Sequence, residues 1–131
     1  MAIFLNRIER GNPVTKVKKW YTTLKTIKMV KESDVAKQIT EETTLNRKEA
    51  EMAMAQLEKV LISNLLSSNS VQLGDWGSFH LTCNSEGKDT KEELSVRSVK
   101  GLNIRFKPGK SLRNALKNAS FIFTEDMVSK Q

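Results

Sequence analysis

Seven cations and no carboxylate occupy residues 94–124: Arg97, Lys100, Arg105, Lys107, Lys110, Arg113 and Lys117. Guanidinium and ammonium groups gathered this way suit a polyanion, and phosphate oxygens are acceptors they fit well. Spacing adds direction. Lys110, Arg113 and Lys117 recur three and four apart, which on a helix places them on one face, opposite Leu112, Ala115, Leu116 and Ala119. Arg105 and Lys107 alternate with Leu102, Ile104 and Phe106, so they share the polar side of a strand. Gly109-Lys110-Ser111 then opens the helix, where backbone N–H groups and the helix dipole favour an oxyanion. The competing reading of such a run is a solvated face; the shared faces favour phosphate binding.

Other chemistries have no constellation behind them. Gly109-Lys110-Ser111 resembles the end of a nucleotide-binding loop, but that pattern needs a glycine five residues earlier, where Ile104 stands. His80 has no Ser, Cys or carboxylate pattern beside it, and reads as a half-exposed strand residue. Cys83 reads as a small core residue, since one cysteine forms no internal disulfide and, with one histidine, no four-ligand zinc site. Asp75, between two glycines, is expected to bond its own backbone. No catalytic residue, cofactor, metal or small-molecule substrate is expected.

The elements that must position the cations follow from patterning. The 131 residues suit one domain, 38% hydrophobic and 28% charged, with a net charge of +7 and basic ends around an acidic middle. Residues 1–31 carry 8 basic and 1 acidic side chains. Ile3, Phe4, Leu5 and Ile8, the breaker Gly11-Asn12-Pro13, and Trp20 to Leu24 predict a loose β-hairpin there, with a basic disordered arm as the alternative. Ser33 is expected to cap a short helix in which Val35, Ala36 and Ile39 share a face and which Thr43-Thr44 ends. Asn46 with Glu49 forms a capping-box start for a long amphipathic helix ending near Ser67-Ser68-Asn69. Val71, Leu73, Phe79, Leu81 and Cys83 alternate around Gly74-Asp75-Trp76-Gly77, predicting two strands and a tight turn. Asn84 to Lys88 begins a turn or flexible tip, and the return limb is read from Leu94, Val96 and Val99, broken at Lys100-Gly101. Phe121 to Phe123 are expected to tuck back against the body. No stretch has the length of a membrane span, and Ala2 to Leu5 is too short for a signal peptide.

Val71-Gln72-Leu73 with Trp76-Gly77-Ser78-Phe79, followed by Phe106-Lys107-Pro108-Gly109-Lys110-Ser111-Leu112, resembles the HU and integration-host-factor family of bacterial histone-like DNA-binding proteins over about Glu32 to Asn118. The basic extension is similar to that of a longer HU-like branch. The resemblance implies an α+β, HU-like fold: an αα-hairpin, then an antiparallel β-sheet with a protruding arm and a C-terminal helix. It also implies an intertwined dimer whose arms reach round the DNA minor groove. Lys107 and Lys110 match basic positions of the family pattern; Arg105 and Arg113 are added from charge and spacing. Two departures stand out. The family's arm is arginine-rich and ends in Arg-Asn-Pro, whereas Ser85 to Ser95 holds Lys88 and Lys91 against Glu86, Asp89, Glu92 and Glu93, without proline. Asp75 replaces the glycine that usually precedes the aromatic.

Residues 1–31 are therefore expected to form a basic β extension, 32–124 an HU-like DNA-binding domain and 125–131 a tail. The expected function is sequence-tolerant binding of double-stranded DNA through phosphates, by a cytoplasmic, nucleoid-associated homodimer. RNA is kept as an alternative polyanion. A dimerising interaction module without strong DNA binding is the alternative function.

Overall fold

The computed structural model describes residues 1–128. Two compact units divide the chain, one of Glu32–Asn114 and one of Met1–Lys31 with the segment from Ala115 onward.

In the first unit, α1 (Glu32–Glu42) packs on α2 (Arg47–Leu66). The start of α2 is set locally: the Asn46 side chain accepts from Glu49 N at 2.8 Å, while Glu49 Oε1 accepts from Asn46 N at 3.1 Å. Two otherwise orphaned donors are satisfied by this exchange. Ser33 lies inside the first turn of α1 rather than capping it, because the helix already begins at Glu32. Small side chains allow close approach, and Ala36 and Ala50 are buried in α1 and α2.

After α2 the chain forms β3 (Val71–Leu73), a single 3-10 turn at Gly74–Trp76, β4 (Gly77–Ser85) and β5 (Val99–Pro108), an antiparallel sheet in the order β3-β4-β5. Register sorts the side chains cleanly. Phe79 faces Phe106, Leu81 faces Ile104 and Cys83 faces Leu102, while Ser78 faces Lys107, His80 faces Arg105 and Thr82 faces Asn103. Directly opposed residues share a face, so one side is apolar and the other polar and basic. Trp76, Phe79 and Phe106 cluster with ring centroids 5.0 to 6.0 Å apart. A Cβ on Gly77 would overlap the Phe106 ring, so the turn needs glycine here for close approach.

The return limb starts later than its composition predicts. Leu94 and Val96 lie outside the ladder, which begins at Val99 and runs through Gly101. Between them, residues 86–98 carry one-turn 3-10 helices at Lys91–Glu93 and Val96–Ser98, closed by Glu86 N donating to Ser98 O. The Ser95/Ser98 capping exchange holds Val96 out of strand geometry.

The second unit contains β1 (Ile3–Gly11) and β2 (Lys18–Leu24), paired antiparallel as the expected hairpin. Asn12 nucleates its turn by accepting from Val14 N and Thr15 N. β6 (Phe121–Phe123) adds to the other edge of β1, in parallel, giving the order β2-β1-β6. A short helix follows, α4 (Thr124–Val128); its Glu125 pairs with Arg7 at 3.1 Å, and Thr124 bonds Asn6 at 2.7 Å. Of the tail read as 125–131, residues 129–131 lie outside the described residues.

Burial is sparse. Ala36, Ala50 and Leu65 are the buried hydrophobic residues among those described. Cys83, expected in the core, is exposed: Phe79 and Leu81 on the same face of β4 are half-buried beside α2, but exposure begins at Cys83 toward the far end of the strand. The stripe of the third helix, α3 (Lys110–Lys117), is likewise open at Ala115 and Leu116. Among the described residues, no helix is long and apolar enough to cross a membrane.

Candidate nucleic-acid interface

The site is built on the Gly turn. Gly109 N donates to Trp76 O at 3.0 Å, and Ser111 Oγ donates to Asp75 O at 2.9 Å, so two bonds tie the start of α3 to the β3–β4 turn. Gly109 sits so close that a Cβ there would collide with the Asp75 carbonyl. Asp75 thus acts through its carbonyl, accepting from Ser111, where a bond from its carboxylate to its own backbone was expected. The consequence is positional: the first turn of α3, with N–H groups that have no intrahelical acceptor, is held beside the polar face of the sheet.

Across that face runs the row Gln72–Ser78–Lys107, one residue from each of the three strands. Lys107, Lys110 and Arg113 line one open depression of about 390 Å³ together with Gln72, Ser78 and Asp75. Asp75 is the one acidic residue of that lining among the described residues. Arg105 lies two residues before Lys107 on the same strand face, opposite His80. All four cations are exposed, and none makes an ion pair or a side-chain hydrogen bond among the described residues. Four neighbouring positive charges without acidic partners form an electrostatic footprint for an anion.

The remaining three candidates are placed elsewhere. Lys100 is the extra residue of β5 at the register shift between Asn84 and Ser85, outside the regular alternation that carries Arg105 and Lys107. Arg97 lies in the 3-10 turn of the 86–98 connection. Lys117 is in the last turn of α3, beyond Asn114 and so within the other unit, and does not line the depression. Gln72 and Ser78 are the lining residues that charge alone did not reveal. Their signal was present in the alternation: Gln72 is the polar residue between Val71 and Leu73, and Ser78 stands on the polar side just before Phe79.

Among the described residues, no group of three His, Cys, Asp or Glu side chains could hold a metal ion.

Comparison with known proteins gives the following. A protein from Bacteroides vulgatus, provisionally described as a bacterial DNA-binding protein, has a similar fold, with a TM-score of 0.67 at 14% identity. The alignment covers 92% of this chain and 48% of that one, so the present chain spans about half the length of that relative. A cocrystal structure of HU with DNA from Anabaena aligns with a TM-score of 0.47 and 15% identity, covering 67% of this chain and 97% of that one. No curated protein matches the sequence. The family model for HU-HIG, an HU domain fused to wHTH, Ig or glycine-rich motif, matches residues 1–122, and with its αα-hairpin, antiparallel sheet and basic helix start the chain belongs to that HU-like family.

Proposed function

We propose that the chain binds double-stranded DNA without strong sequence preference, through phosphate contacts made by Arg105, Lys107, Lys110 and Arg113. It does so as a homodimer of the nucleoid-associated, architectural kind. The observation carrying this reading is the convergence of Lys107, Lys110 and Arg113 on one depression at a helix start, with no acid pairing any of them among the described residues. Phosphate oxygens would meet ammonium, guanidinium and amide donors there together. Base edges are not needed, so unrelated sequences should bind alike.

Uncovered apolar surface supports the dimer. Leu57 is 44% exposed on α2, and Leu102 and Ile104 are 59% and 57% exposed on β5. A single chain would leave these faces in water, and burying them against a second copy recovers that free energy. Membership of an HU-like family is consistent with the same assembly.

The test is a salt series. Wild-type protein titrated onto a plain duplex should lose affinity linearly in log–log form, with a slope of about −0.9 per phosphate neutralised. Lys107→Ala combined with Lys110→Ala should weaken binding equally on unrelated duplexes and flatten the slope by about 1.8 for each subunit that contacts the duplex. An unchanged slope removes these residues from the interface. Failure of the wild type to bind any duplex at low salt would leave the dimerising module, which the carboxylates Glu86, Asp89, Glu92 and Glu93 of the arm favour.

A further inference from the structure

Outside the depression, the N-terminal hairpin holds a second cationic arrangement that the first does not explain. In the β1–β2 register, Arg10 stands directly opposite Lys19. Like charges facing each other across an antiparallel pair destabilise it. Neither has an acidic partner among the described residues. The nearby carboxylates are committed elsewhere, Glu9 to Lys18 at 3.9 Å and Glu125 to Arg7 at 3.1 Å. Sheet alternation places Glu9 and Lys18 on the face opposite to Arg10 and Lys19.

The same face carries Tyr21, 49% exposed and two residues along β2 from Lys19. Lys19 and Tyr21 line an open depression of about 360 Å³ with Asn12, Thr15 and Val17 at the turn. Lys16, in the turn itself, adopts a left-handed φ of 60°. An unpaired cation pair, a half-exposed phenol ring and small hydroxyl and amide groups are thus gathered at one hairpin end. Charge density tolerated against repulsion is the signature of an anion that neutralises it on binding. A ring beside such cations adds a flat surface on which a base can rest.

We propose that this end of the hairpin is a second nucleic-acid contact, at which Arg10 and Lys19 hold consecutive phosphates of a polynucleotide backbone while Tyr21 packs against the sugar or base between them. The site lies wholly within the unit formed by Met1–Lys31 and the C-terminal segment, so it goes beyond the interface on β5 and α3 and stands without it. Its ligand is the phosphate backbone, whether of a duplex or of a single strand.

The experiment uses the full chain in five forms: wild type, Arg10→Gln/Lys19→Gln, the charge-retaining Arg10→Lys/Lys19→Arg, Lys107→Ala/Lys110→Ala, and the Arg10→Gln, Lys19→Gln, Lys107→Ala and Lys110→Ala substitutions together. Each is titrated by anisotropy onto a labelled plain duplex and a labelled single strand over a salt series, and its thermal unfolding is recorded. Removing the hairpin pair should flatten the slope by about 1.8 on the duplex, or by about 1.4 if the single strand is the one affected, for each subunit engaged. Between about 1 M and 0.1 M salt, slopes flattened by about 1.4 to 1.8 correspond to a loss of roughly 25- to 60-fold for each subunit engaged. The loss should add to that of Lys107→Ala/Lys110→Ala, and Tm should stay or rise because the facing charges are gone. Whichever ligand shows the change identifies the source of the phosphates. Wild-type affinity and slope on both ligands would overturn the proposal, and so would a binding loss accompanied by a fall in Tm and reproduced by the charge-retaining Arg10→Lys/Lys19→Arg. A wild-type slope change confined to the Lys107/Lys110 variant would sink the hairpin contact while leaving the β5–α3 interface intact.

Discussion

Ser111 Oγ donates to the carbonyl oxygen of Asp75 at 2.9 Å, joining the first turn of α3 to a turn 36 residues earlier in the chain. This bond, with Gly109 N to Trp76 O at 3.0 Å, sets where Lys110 and Arg113 stand relative to Lys107. Ser111→Ala should therefore cost stability and binding together. The net loss expected for one such hydrogen bond is about 0.5–1.5 kcal/mol. Urea unfolding monitored beside duplex titration checks both, and a variant with wild-type values in each would show that the bond positions nothing.

Gly109→Ala tests the same junction by crowding instead of deletion. Its Cβ would enter the Asp75 carbonyl, a backbone atom that cannot rotate away, so α3 must shift. Overpacking of this sort costs about 1–3 kcal/mol. Affinity for duplex should fall although no charge has changed, and circular dichroism should still report the helices.

Charge placement makes a comparison within the seven cations. Arg113→Gln, on the lining of the depression, should flatten the duplex salt slope by about 0.9 for each subunit engaged, whereas Arg97→Gln should leave it within error. Equal effects from the two would mean that net charge, and not the depression, governs affinity.

The apolar face offers a mutation whose sign depends on assembly. Ile104 is 57% exposed, and polar substitution at a surface position ordinarily changes stability by less than about 0.5 kcal/mol. In the proposed dimer it is covered. Ile104→Glu should then dissociate or unfold the protein, while wild type sediments at twice the mass of the chain. A monomeric wild type indifferent to Ile104→Glu would contradict the dimer.

Asn46→Ala removes one half of the capping exchange with Glu49 and should cost about 1 kcal/mol, read from the urea midpoint. DNA affinity measured well below that midpoint should not change, because Asn46 is remote in sequence and chemistry from the cations.

Much of this organisation was legible because it is local. The Asn46/Glu49 pair, the alternation from Val71 to Cys83 and the Leu102–Ile104–Phe106 strand each depend on side chains within a few residues of one another, and each stands where its spacing predicts. Where local preference met a competing bond, the reading slipped. Leu94 and Val96 have strand-forming side chains, yet Leu94 N donates to Lys91 O at the end of one 3-10 turn and the Ser95/Ser98 exchange holds Val96 in the next, while α1 begins at Glu32, one residue before Ser33.

Composition and spacing by themselves determined that the cations cluster late in the chain, that Arg105 and Lys107 share a strand face, and that Lys110 and Arg113 share a helix face. These follow from the two periods of the backbone, which need no partner. Only tertiary structure decided that the two faces meet, through Gly109 and Ser111 at the Asp75–Trp76 turn, and that Arg97, Lys100 and Lys117 do not join them. It also decided that β6 pairs in parallel with β1 and that Arg10 faces Lys19, because register between strands is set by long-range hydrogen bonding.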